Sequence, residues 1–212
     1  MTDKNRVRRA YDVIAAQYAD HRSQGGTEVL AQFLESLSAP AHVLDAGCGQ
    51  GTPVLSRLTE STTATGLDFS REQLRLATDG APDAALVQGD MATLPFRTGT
   101  FDAVVAYWSL IHVPLEDHQG VVDEFARVLR PGGRVLVCEG TDEWCGENPD
   151  WLDTGVRMEW NVAGAAATLE QLRTAGFVLE DSWGVPEVLC EDGSDDGDDD
   201  QPWTFFAARL EA

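Results

Sequence analysis

Lysine is almost missing from this sequence. Of 15 basic residues only Lys4 is a lysine; the others are arginines. Against them stand 36 Asp and Glu, for a net charge of −21. No basic stripe runs along the chain, so nucleic acid is an unsuitable partner. Long apolar runs are missing too. A membrane-spanning helix needs about 18 or more consecutive apolar residues, and none is found. The opening MTDKNRVRRAYD is polar and has no apolar h-region. That predicts no secretory signal, no membrane partner and a cytoplasmic location. Cysteine is sparse: Cys48, Cys138, Cys145 and Cys190 form no CxxC and match no zinc spacing. The histidines (His21, His42, His112, His118) are scattered. No metal site is expected, and the thiols read as free ones in a reducing compartment.

The charge imbalance has a physical consequence. In dilute buffer such a surface repels itself. At about 1 M salt the Debye length falls to roughly 3 Å and the repulsion is screened. Acid excess with so little lysine resembles the proteins of salt-accumulating halophiles. An ordinary acidic protein with one acidic loop is the alternative. The 212 residues, 43% of them hydrophobic, suffice for one domain with a sizeable core.

Two amphipathic helices open the chain. Residues 5–20 carry Val7, Tyr11, Ile14 and Tyr18 at helical spacing, and 27–37 follow with Thr27 as N-cap. Then short apolar runs alternate with helices. The strands are AHVLDAG, TTATGLD, AALVQGD, FDAVVAYW and RVLVCEG. Between them lie PVLSRLTES, with Pro53 in its first turn, REQLRLATDG, capped by Ser70, and residues 115–130. RPGG reads as a turn, 142–163 as irregular and aromatic-rich, and LEQLRTAGF as a helix. VLEDSWGV and WTFFAARL are two last strands, split by the acidic run at 191–200. Alternating strands and helices predict an α/β fold, a doubly wound, mostly parallel seven-stranded sheet with helices on both faces.

The stretch VLDAGCGQGTP sits where such folds bind ligands, at the carboxyl end of a strand. Its glycines, Gly47, Gly49 and Gly51, are spaced G-x-G-x-G; a dinucleotide fingerprint would need glycine at 52, which is Thr52. No Gly-Lys-Ser/Thr follows, so it is no P-loop. Asp45 stands just before the loop. A carboxylate there repels a diphosphate and attracts an ammonium. Asp68 and Asp90 end the next two strands. A ligand with a ribose, an adenine and an ammonium but no phosphate fits these residues, and S-adenosylmethionine is one.

The ordered series VLDAGCGQGT, GLDFS, GDMATLPF, FDAVVAYWSLIHV and RVLRPGGRVLV resembles the class I S-adenosylmethionine-dependent methyltransferases, in their small-molecule, type 11 branch. The likeness covers about residues 40–140, and residues 1–38 resemble that branch's N-terminal lid. It implies a Rossmann-like methyltransferase fold with its last strand antiparallel, spanning 39–212. It implies S-adenosylmethionine as cofactor, over Gly47, Gly49 and Gly51. Asp45 would face its ammonium, Asp68 its ribose hydroxyls and Asp90 its adenine amino group. Phe69 and Met91 would flank the ring, Tyr107 would lie near the sulfonium, and Tyr11 and Tyr18 would close over the methionine end. Plain core packing is the competing reading for Phe69, Met91, Tyr11 and Tyr18. Asp102, which opens a strand, reads as a local backbone acceptor.

Methyl transfer to a protonated acceptor needs a base. His112, in SLIHVP, and Glu139, at the end of the fifth strand, are the candidates. Either can equally be a packed residue. Trp108, Trp144, Trp151, Arg157 and Trp160 suggest a largely apolar acceptor pocket, with 142–163 as its wall, or else a cover for the sheet edge. The Asn/Asp-Pro-Pro-Tyr/Phe motif of amino-methylating enzymes is absent after the fourth strand. The expected activity is methyl transfer to a small molecule by a monomer or homodimer. A non-catalytic S-adenosylmethionine-binding regulatory module is the alternative. A nicotinamide-dependent oxidoreductase is disfavoured by the glycine spacing and Asp45.

The charge balance makes one prediction. Raising KCl from about 0.1 M to about 2 M screens the surface and is expected to raise Tm by roughly 5 °C or more. Differential scanning fluorimetry across that series checks it, and a flat or falling Tm contradicts it.

Overall fold

The alternation of strands and helices produces one main sheet. The computed structural model describes residues 4–21, 25–38, 41–185 and 202–211. In chain order the elements are α1 (Lys4–His21), α2 (Thr27–Glu35), β1 (His42–Ala46), α3 (Val54–Thr59), β2 (Thr63–Asp68) and α4 (Arg71–Gly80). Then come β3 (Ala85–Gln88), β4 (Phe101–Ala106), α5 (His118–Val128), β5 (Leu129–Gly140), β6 (Trp144–Trp151) and β7 (Val156–Val162). The chain closes with α6 (Ala165–Thr174), β8 (Phe177–Val185) and β9 (Trp203–Leu210). The seven-stranded sheet runs β3-β2-β1-β4-β5-β9-β8. Neighbours from β3 to β5 are parallel, while β9 is antiparallel to both β5 and β8. This is the doubly wound arrangement the alternation predicts.

Side chains on a strand alternate between faces, and the two cores follow that period. Val43, Val105, Leu136 and Phe205 pack with α2 and α3 residues such as Leu30, Phe33 and Leu55. Their neighbours Leu44, Val104, Val135 and Phe206 pack on the opposite face with Phe125 of α5 and Leu172 of α6. Both faces are covered, which is why these strands read as continuous apolar runs. Asp102 accepts from the His42 backbone N–H at 2.7 Å, the local role its position suggests. Ser70 caps α4, its hydroxyl accepting from Gln73 N–H at 3.3 Å.

Four local expectations are corrected. The cap of α2 is Gly26, not Thr27. Its φ of 68° is left-handed, and a Cβ there would come within 2.7 Å of the Tyr107 hydroxyl oxygen. Helix α5 stops at Val128 rather than 130, and 115–117 form a separate 3-10 turn. Pro131 disfavours helical backbone at Arg130. The RPGG stretch lies inside β5 as a bulge, where the pairing slips between Phe101 and Ala103. Segment 142–163 is not irregular: β6 and β7 pair antiparallel, Trp144 opposite Val162 and Gly146 opposite Trp160. The signal was there. Val156, Met158, Trp160 and Val162 alternate with Arg157, Glu159 and Asn161, but Pro149 and the turn at 152–155 interrupt the partner strand. The acidic run at 191–200 and Cys190 lie outside the described residues.

Glu139 is fully buried at the carboxyl end of β5. Its Oε1 accepts from Gly140 N–H at 3.0 Å, and its Oε2 lies 3.9 Å from His118 Nδ1. His118 Nε2 donates to the Val113 carbonyl at 3.0 Å, so Nδ1 turns a lone pair toward the acid. Burial pushes the Glu139 carboxyl up to about 8 and the His118 imidazole down. Folded Glu139 therefore stays protonated where the unfolded chain, near 4.5, has ionised. Stability is lost as pH rises through that window. Glu139→Gln, which cannot ionise, is expected to melt above the wild type at about pH 9 and level with it at about pH 5. Equal differences in Tm at both pH values contradict the buried, neutral acid.

Candidate active site

Beyond the carboxyl end of β1 the chain turns through the glycine loop into α3. Gly47 and Cys48 donate their N–H groups to the Leu67 carbonyl, at 2.7 and 3.0 Å, tying the loop to the end of β2. Gly47 has a φ of 85°, and a Cβ there would lie 2.3 Å from the Ser109 Cβ. Only glycine lets the loop approach the segment after β4 so closely.

Asp68, 6% exposed, is clamped at the end of β2. Its Oδ2 accepts from Gly49 N–H at 2.9 Å and its Oδ1 from Ser70 N–H at 2.8 Å. Each carboxylate oxygen can accept more than one bond. Asp90 sits past β3. Its Oδ1 accepts from Ala92 N–H at 2.9 Å, and its Oδ2 pairs with Lys4 Nζ at 2.6 Å. That bond holds the Lys4 ammonium above its ordinary pKa.

Helix α1 crosses these strand ends, packed on α4 and β7. Polar contacts pin it along its length. Besides Lys4–Asp90, Arg6 pairs with Glu159 at 2.5 Å, and Asp12 accepts from the Ser70 hydroxyl at 2.7 Å. Tyr11 and His112 Nε2 are hydrogen-bonded at 2.8 Å. The rings of Tyr11 and Tyr18 meet edge-on at 5.2 Å, and Trp151 and Trp160 back them.

A cavity lies among these elements. Gly47, Gly49 and Asp68 line one part, with Phe69, Asp90 and Met91 beside them. Tyr11, Tyr18, Trp108, Ser109 and His112 line the rest. The other expected site residues fall elsewhere. Asp45 is buried beneath the loop, and Gly51 packs against Ala77 of α4 and Ala81 just after it. Tyr107, expected near a sulfonium, points the other way: it donates to the Gly25 carbonyl and packs on Phe205. Period-2 geometry explains this, since Val105 and Tyr107 share the α2 face. Glu139 is not in the lining. Trp144 is 52% exposed, and Arg157 pairs outward with Glu147 at 2.6 Å. Trp151 and Trp160 reach the cavity only through the tyrosines and His112.

Residues 44–137 match the family model of the methyltransferase domain. The chain is 31% identical over 195 residues to a tRNA (carboxymethyluridine(34)-5-O)-methyltransferase of Arabidopsis thaliana, covering 88% of this chain and 46% of that protein. It is 39% identical over 130 residues to methyltransferase GfsG of Streptomyces halstedii, covering 57% and 46%. Residues 44–137 thus carry a class I S-adenosylmethionine-dependent methyltransferase domain. The [4+2]-cyclase SpnF shares the fold over all of this chain and 97% of its own, with a TM-score of 0.77 at 21% identity. This chain spans about half the length of the two sequence relatives.

The methyltransferase domain's cofactor can be tested against an observation that sequence reading missed. Ser70-Arg-Glu-Gln73 has the spacing of a capping box, in which the glutamine amide would bond the cap's N–H. Here Asp68 has taken the Ser70 N–H. Gln73, 1% exposed, is left with its amide oxygen and nitrogen both unpartnered, and it lines the cavity beside Asp68. An orphaned amide and a clamped carboxylate suit a ligand rich in hydroxyls, as the nucleoside half of S-adenosylmethionine is. The glycine loop offers close backbone approach and no cation for a diphosphate. The residues fit the cofactor. Lys4, another lining residue outside the expected set, gave no signal beyond its rarity.

Gln73→Met is expected to weaken S-adenosylhomocysteine binding about 3- to 10-fold, the worth of one neutral hydrogen bond, without lowering Tm. Calorimetric titration and a melting curve read the two effects. A drop in Tm with unchanged affinity makes Gln73 a structural residue instead.

Proposed function

We propose that this chain transfers the methyl group of S-adenosylmethionine to a small, largely apolar acceptor. The observation that carries the reading is the Asp68 carboxylate, held by Gly49 and Ser70 N–H groups at the mouth of a phosphate-unfriendly glycine loop. In this reading Asp68 receives the ribose hydroxyls and Asp90 the adenine amino group, with Phe69 and Met91 against the ring. Asp45 contributes negative charge beneath the loop toward the ammonium. Helix α1 is the lid, and the β6–β7 ribbon backs the acceptor end.

The bound sulfonium supplies an already activated methyl group. The protein's work is to orient the reactants and exclude water, which for well-aligned groups is worth roughly 7–11 kcal/mol. The aromatic wall of Tyr11 and Tyr18, backed by Trp151 and Trp160, favours an apolar body in the acceptor. A tRNA acceptor, named for one relative, suits this chain poorly, because a net charge of −21 repels a polyanion. No helix among the described residues is long and apolar enough to cross a membrane.

Calorimetric titration with S-adenosylhomocysteine in about 2 M KCl, with NADH as control, tests the reading. The thioether is expected to bind and NADH not to. Asp68→Ala is expected to cost tenfold to a hundredfold in affinity, the worth of about 1.5–3 kcal/mol for a charge-assisted hydrogen bond. Binding of NADH, or no binding of the thioether to folded protein, overturns it.

A further inference from the structure

Two polar side chains at the aromatic end of the cavity face each other with complementary roles. The His112 Nδ1 lies 3.3 Å from the backbone carbonyl of Glu159 on β7. A carbonyl oxygen only accepts, so Nδ1 carries the proton of the neutral ring. Nε2 then holds a lone pair, and it lies 2.8 Å from the Tyr11 hydroxyl. The tyrosine donates and the imidazole accepts. Both residues are more than nine-tenths buried, and both line the cavity. They are 101 residues apart in sequence, so no local turn accounts for their meeting.

Resting on the methyl-transfer reading, we propose that Tyr11 and His112 form a proton relay serving a hydroxyl acceptor, an alcohol or a phenol. As the acceptor oxygen takes the methyl carbon, a C–O bond forms and the C–S bond breaks, its electron pair staying on sulfur. The acceptor's proton passes to the Tyr11 oxygen while the tyrosine's own proton passes to His112 Nε2. The product is an ether, a neutral thioether and an imidazolium whose Nδ1–H still points at the Glu159 carbonyl. The imidazolium returns its proton to solvent when the products leave.

The surrounding charges favour a neutral acceptor over an ammonium. An amine is cationic at neutral pH and would want a carboxylate beside it. The nearby acids are committed: Asp12 to Ser70 and Arg8, and Glu159 to Arg6. Asp68 and Asp90 line the nucleoside end, where this reading gives them to the ribose and the adenine, and Asp90 also pairs with Lys4. What faces the aromatic end is a hydroxyl and an imidazole. A hydroxyl nucleophile gains most from them, because it must shed a proton to attack.

The test uses the full chain in about 2 M KCl. Nitrogen-15 spectra of His112 in the S-adenosylhomocysteine complex are expected to show Nδ1 protonated and Nε2 bare, with the Nε2 signal displaced in Tyr11→Phe. Methyl transfer from labelled S-adenosylmethionine is then measured on a panel of apolar alcohols and phenols, and on the amines and thiols of the same skeletons. Transfer is expected on hydroxyl compounds only, falling about 10²- to 10⁴-fold in His112→Gln. S-adenosylhomocysteine affinity should stay within about threefold in His112→Gln, because His112 lies away from the nucleoside end. An Nε2-protonated ring, transfer to no hydroxyl compound while the thioether still binds, or full turnover in His112→Gln overturns the relay. Loss of thioether affinity in both variants makes the pair a lid latch and also overturns it. Failure of the wild type to bind the thioether overturns the methyl-transfer reading itself.

Discussion

The carboxylate of Asp68 is the joint on which the site is assembled. Its two oxygens hold Gly49 in the loop after β1 and Ser70 at the start of α4. Three strand-to-helix connections thereby keep one geometry, because the same loop is also sewn to the Leu67 carbonyl and pressed against Ser109. The clamp also frees Gln73 from its capping duty. One acid thus organises the loop, the helix cap and an orphaned amide.

Helix α1 completes the enclosure. Its apolar face, Val7, Ala10, Tyr11 and Ile14, packs with Met158 of the β6–β7 ribbon. Its polar residues meet Asp90 beyond β3, Ser70 at the cap of α4 and Glu159 on the ribbon itself. The single lysine is spent on Asp90, at the mouth of the cavity. In a chain so poor in cations, a direct ion pair at that position is a substantial commitment, and it ties the helix to the part of the cavity where an adenine would lie. Half-exposed pairs of this kind contribute little stability. Their effect is on where the helix sits rather than on how strongly the protein holds together.

Much of this was legible in advance. The five parallel strands, their helices, the antiparallel last strand and the three acids at strand ends all follow from short-range pattern and resemblance. Four features were not. The β6–β7 ribbon hid behind a proline and a wide turn. Tyr107 was assigned to the ligand by its place after β4, whereas strand alternation sends it toward Phe205. Trp144 and Arg157 were grouped with the cavity by composition, yet alternation turns Arg157 to the other side of the ribbon, while Trp144, on the face of Val162 and Trp160, stays 52% exposed at the ribbon's end. Gln73 was passed over because its capping spacing offered a sufficient local explanation, and that explanation fails only once Asp68 is seen to occupy the Ser70 N–H.

By itself the sequence determined the sheet, the loop and the end of the sheet where a ligand binds. Those depend on periods of two and 3.6 residues and on turns closed within a few positions. Only the tertiary structure decided which distant side chains meet. Lys4 reaches Asp90 across 86 residues, Tyr11 reaches His112 across 101, and Arg6 reaches Glu159 across 153. An amphipathic helix specifies the face it buries but not the surface it lands on. That choice belongs to the shape and charge of the folded sheet's end, which no local pattern in the chain records.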